Sequence, residues 1–133
     1  MAELLTVSEQ GLLELSLPTE VDLSSLQYHF VKLDVNGMVV PCGANEKPLG
    51  ILQNDVNGTV VERTAVIMIQ GISYLAIGET VAFGQQLTST AGSKGEVVDA
   101  AGEEIGARSL GAYASTQNAV VQVMFGKAQS SDA

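Results

Sequence analysis

Tyr28-His29-Phe30-Val31-Lys32-Leu33-Asp34-Val35-Asn36-Gly37-Met38-Val39-Val40-Pro41-Cys42-Gly43 is the stretch from which the fold can be read. Two runs of β-branched and aromatic residues flank Asn36-Gly37. Such a pair suits a type I′ hairpin turn, because both central residues take positive φ there. Asn57-Gly58 repeats the signal. Outward from this hairpin, apolar runs alternate with Gly, Asn, Asp and Pro. They predict strands near residues 28–33, 38–41, 49–53, 59–70, 72–76, 86–89, 96–99, 105–109 and 119–125. Sustained helical periodicity is absent. The best helical candidate is residues 77–83, where Ile77 and Val81 are four apart. The expected fold is all-β, a small barrel over residues 27–126, followed by a polar tail at 127–133.

The pattern echoes itself. Val39-Val40, a small and acidic turn, then Leu49-Gly50 is matched by Val97-Val98, a second such turn, then Ile105-Gly106. A further strand follows each, ending at Gly71 and Gly126. Two similar strand–turn–strand units packed face to face would close a small barrel or sandwich. Chance likeness between Gly-rich β segments is the competing account.

Residues 1–26 differ from the rest. They hold Glu3, Glu9, Glu14, Glu20 and Asp22, no Lys or Arg, and eight Leu. Leu13-Glu14-Leu15-Ser16-Leu17 alternates as an extended segment with one apolar edge, bracketed by Gly11 and Pro18. An arm that finds its apolar cover on another molecule is one expectation, with Leu4, Leu5, Val7, Leu12, Leu13, Leu15 and Leu17 as partner-binding anchors. An edge strand on its own barrel is the other. Five acidic groups without a cation favour the arm, since they need solvent or a basic partner.

Composition bounds the function. The 133 residues carry 15 Asp+Glu against 6 Lys+Arg, a net charge of −9. Nucleic acid and anionic membranes therefore exert no generic attraction. The segment Ala65-Val66-Ile67-Met68-Ile69 is too short to span a bilayer. The start has no basic n-region and no long apolar run, so it does not read as a signal peptide and an intracellular compartment is expected. One Cys and one His remove disulfide frameworks, Cys-rich metal sites and most nucleophile–base schemes. His29 reads as a half-exposed strand histidine and Cys42 as a small, partly buried thiol. Asp99, Glu103 and Glu104 lack the spacing of a calcium loop. Gly92-Ser93-Lys94-Gly95 lacks the Lys-Ser/Thr of a phosphate loop. No catalytic residue, metal or cofactor is expected.

The opening stretch, together with Lys47-Pro48-Leu49-Gly50-Ile51-Leu52-Gln53-Asn54-Asp55, Val66-Ile67-Met68-Ile69-Gln70-Gly71 and Val120-Val121-Gln122-Val123-Met124-Phe125, resembles the small capsid decoration (cement) proteins of tailed bacteriophages. The resemblance covers roughly residues 27–126 and rests on apolar and Gly patterns. It implies a β-barrel or β-tulip-like domain, a homotrimer, and a place on the outer surface of the expanded head, with assembly in the host cytoplasm. The implied partner is the major capsid protein, whose lattice is strengthened against internal DNA pressure, and no catalysis is implied. The matching positions are structural: the Asn36-Gly37 turn and the glycines at 50, 71, 106 and 126. A ligand-binding accessory barrel and a tail or fibre component are the alternatives.

Overall fold

A computed structural model describes residues 13–56, 63–98, 106–111 and 119–125. It is all-β, with β1 (Leu13–Thr19), β2 (Phe30–Leu33), β3 (Val39–Pro41), β4 (Gly50–Leu52), β5 (Arg63–Ile77), β6 (Gln86–Ser89), β7 (Gly95–Val97), β8 (Ala107–Ser109) and β9 (Ala119–Phe125). The helical candidate at 77–83 is not a helix. Ile77 ends β5, and Ile77 and Val81 reach the same core from extended chain. The two strands expected at 59–70 and 72–76 are one strand. Gly71, at φ 133°, takes a backbone conformation that side chains disfavour, and pairing continues through it.

The echo in the sequence is a duplication of the fold. In the first unit β2 pairs with β3 and β4, β4 with the first half of β5, and that half with β1, all antiparallel. In the second unit β6 pairs with β7 and β8, β8 with β9, and β9 with the second half of β5, again antiparallel. The second half of β5 therefore plays the part of β1. Hydrogen bonds repeat with the strands. Asp34 N donates to Met38 O at 2.9 Å, and Thr90 N to Lys94 O at 2.8 Å. Asp34 Oδ1 accepts from Asn36 N and Met38 N, as Thr90 Oγ1 accepts from Gly92 N and Lys94 N. Gln53 N donates to Val66 O, and Leu110 N to Gln122 O. The hairpin at Asn36-Gly37 is consequently a three-residue loop, not a type I′ turn: Gly37 has positive φ and Asn36 does not, because the Asp34 carboxylate caps the turn. Asn57-Gly58 lies outside the described residues.

The second unit closes into a barrel, because Ile77 of β5 bridges in parallel to Gly95 of β7. The first has the same strand order but is a barrel left open between β1 and β3, where no ladder forms among the described residues and the Thr19 hydroxyl donates to Val39 O at 2.7 Å. Each unit has its own core. Leu23, Val31, Val39, Leu52, Val56, Ala65 and Ile67 fill the first, with Leu17 packed against them. Leu75, Ile77, Val81, Leu87, Ala107, Val121, Val123 and Phe125 fill the second.

The two barrels are joined by a shared layer. Phe30, Ile51 and Met68 are register partners across β2, β4 and β5, and all three face the second core, while Val31, Leu52 and Ile67 face the first. Phe30 reaches Phe125 at a centroid distance of 6.4 Å. Its ring also lies over Gly106, where a Cβ would stand 2.6 Å from Phe30 Cζ. Polar contacts seal the seam. Phe30 N donates to Ser93 O and Asn45 N to Ser89 O, both at 2.8 Å, and the buried Ser93 hydroxyl donates to Cys42 O at 2.6 Å.

Phe30→Ala should cost about 3–5 kcal/mol of stability. Gly106→Ala should cost about 1–3 kcal/mol, by forcing a methyl against the same ring. Urea unfolding of both variants checks this. A loss below 1 kcal/mol for each would show that the seam does not stabilise the fold.

Candidate docking surface

The structure divides the leucines expected to bind a partner. Leu4, Leu5, Val7 and Leu12 lie outside the described residues. The backbone of Leu13–Thr19 pairs with β5 of the same chain, so this stretch is a strand of its own domain. Leu17 is half-buried and packs against the first core. Leu23, fully buried and bridged to Val56, ties the following residues into the same barrel. Leu15 stays 37% exposed. Leu13 is turned the other way: a register shift beside Glu14 places it opposite Gln70. Directly opposite residues share a face, so Leu13 joins the face of Gln70 and Ile72.

That face continues as the outer surface of the second barrel. Ile72 pairs with Met124, Tyr74 with Gln122 and Ala76 with Val120. Ile72 (49%), Tyr74 (51%), Val120 (45%) and Met124 (43%) are all exposed. Tyr28 stacks edge-on against Tyr74 at 5.7 Å, and Arg108 on β8 is the register partner of Met124. Scattered exposed apolar residues are ordinary; a contiguous group on one sheet face marks an interaction surface. Composition gave no hint of it, because Ile72, Tyr74, Val120 and Met124 read like the outward positions of any strand until the register places them side by side.

The groups with chemical potential are engaged in folding contacts. His29 is buried in a bend before β2 and is not a strand residue, because Tyr28 at φ 67° delays the strand to Phe30. Its Nδ1 is 3.1 Å from Gln27 O, and burial pushes its pKa down. Cys42 is buried, its thiol donates to Glu46 O at 3.4 Å, and burial raises its pKa. Glu46 bonds to Lys32 at 2.8 Å and accepts from Gly43 N at 2.6 Å, which holds its carboxyl below the usual range. The amides around Lys94 that could cradle a phosphate already bond to Thr90 Oγ1. Asp99, Glu103 and Glu104 lie outside the described residues. Among the described residues no group of His, Cys, Asp and Glu could hold a metal ion, and no helix is long and apolar enough to cross a membrane.

No protein-family model and no curated protein matches the chain. Among solved structures, the fold is similar to the N base of head fiber gp8.5 of bacteriophage phi29. The TM-score is 0.62 at 8% identity, covering 86% of this chain and 93% of that one.

Burial of neutral His29 sets a pH response. The folded chain binds its proton less readily than the unfolded chain, so the contribution to stability is complete above the ordinary value of 6.5 and is lost as pH falls below it. Glu46 acts in a separate, lower window, below its ordinary 4.5. The urea midpoint should therefore drop between about pH 7.5 and 5.5 in the native chain. The drop should be smaller in His29→Gln. An equal drop in both would remove His29 as the cause.

Proposed function

We propose that the chain is a structural component of a phage head, and more narrowly a decoration protein. It binds the outer surface of the expanded head as a homotrimer, reinforces the major capsid protein lattice and is carried in the virion. The observation that supports this reading is the fold likeness to a head fiber base over nearly the whole of both chains. The sequence resemblance to decoration proteins points the same way. Both cores are filled by apolar side chains of the chain itself, which favours a rigid scaffold over a ligand-binding barrel. A non-catalytic role belongs to the proposal, and the engagement of His29, Cys42 and Glu46 in folding contacts supports it.

A protein that binds only the assembled lattice stabilises it by mass action. Three linked copies raise avidity by about 10²–10⁴ over a single contact. Leu15 and Leu13, the exposed members of the N-terminal set among the described residues, are the contact candidates. Residues 13–26 belong to the first barrel, so point variants, not their deletion, are the suitable probe.

In co-sedimentation, the chain should pellet with expanded heads and stay in solution with unexpanded heads or isolated capsid subunits. Leu13→Asp with Leu15→Asp should weaken binding by about tenfold or more while the barrels stay folded, since avidity multiplies each lost contact. Equal binding to both head forms, or to neither, would refute the decoration role.

A further inference from the structure

We propose that the outer apolar face of the second barrel, formed by Ile72, Tyr74, Val120 and Met124, is the docking site for residues 1–12 of the same chain. Within this face Met124 holds the position that Met68 holds in the first unit, since Arg108 pairs with one and Ile51 with the other, and Met68 is covered by the second barrel. Met124 and its apolar neighbours have no such cover among the described residues.

Five observations select the occupant. The segment starts at the face, because Leu13 stands opposite Gln70 and Ile72 opposite Met124. It cannot simply extend β1 along β5, because Gly71 is already paired with Phe125 of β9. It is long enough: twelve extended residues span about 40 Å, whereas the face from Ile72 to Ala76 runs about 13 Å. Its composition fits, with Leu4, Leu5, Val7 and Leu12 as apolar residues, and Gly11 available for the reversal. Charge agrees as well. Glu3 and Glu9 are its only charged side chains, and Arg108 borders the face beside Met124, its Nη1 donating to Gly84 O at 2.9 Å. A tether of a few residues keeps the local concentration in the millimolar range, so a modest apolar contact suffices. The inference rests on the fold and is independent of the decoration role.

Methionine oxidation reads the cover directly. Met124 is 43% exposed on the barrel itself, and fully buried Met68 serves as the internal control. In the native chain, peroxide should oxidise Met124 slowly. Combining Leu4→Asp, Leu5→Asp and Val7→Asp should speed that oxidation about tenfold, the factor expected when a face covered nine-tenths of the time is released. Met68 should stay protected in both, which also reports that the barrels remain folded. A photo-crosslinking residue at Leu5, in a mixture of ¹⁴N- and ¹⁵N-labelled chains, identifies the occupant. Adducts within one chain to residues 72–76 or 119–125 are expected. Adducts joining two chains, adducts elsewhere, or Met124 oxidation that is equally fast in native and triple-variant chains would overturn the proposal.

Discussion

Phe30, Ile51 and Met68 lie in one row across three strands, and the second barrel closes over that row. The rest of the structure depends on this contact. A strand that buries only one face alternates apolar with polar residues, whereas one that buries both reads as a continuous apolar run. Phe30-Val31, Ile51-Leu52 and Ile67-Met68 are such runs. In each, one member faces the first core and its neighbour the second. Two small barrels, each limited by its high surface-to-volume ratio, thereby become one folded body with a common inner wall. The polar groups at the seam follow from the same closure. Removing the wall from water obliges Cys42 O, Ser93 O and Ser89 O to find donors, and the two units supply them to each other.

Much of this was legible in the residues. β6 and β9 fall at the bounds expected from the sequence, and the other expected strands differ mainly by their ends or by merging at Gly71. The glycine misled because Gly usually interrupts a strand, whereas here pairing partners on both halves hold the chain extended through it. The echo between residues near 39–50 and 97–106 pointed to a true repeat but in a shifted register. Val39 corresponds to Gly95, since Leu33 pairs with one and Ser89 with the other. Apolar identity alone cannot fix that register; hydrogen-bonded partners can. The repeat is also larger than the echo, because it takes in β1, which acidic composition had set apart.

That composition carried a different meaning. Leu13, Leu15 and Leu17 look equivalent on paper because they share a period of two. The bulge beside Glu14 turns Leu13 to the outer face, while Leu15 opposite Ile67 stays 37% exposed and Leu17 packs against the first core. Local pattern gives periodicity, and only the partner strand says which side is covered. For the same reason the exposed face on β5 and β9 was invisible in the sequence.

The difference between the two copies explains why the stacking stops at two barrels. In the second unit the positions matching Phe30 and Ile51 are Gln86 and Arg108, as their equivalent pairings show. A third barrel could not close over Arg108 without desolvating a permanent charge, which costs several kcal/mol unless an acidic partner meets it. The substitution ends the series. The third position remains Met124, and the exposed Ile72, Tyr74 and Val120 surround it. Such a mixture does not suit a barrel-sized hydrophobic lid. It suits a narrower strip of chain that covers the apolar part and offers a carboxylate beside the arginine.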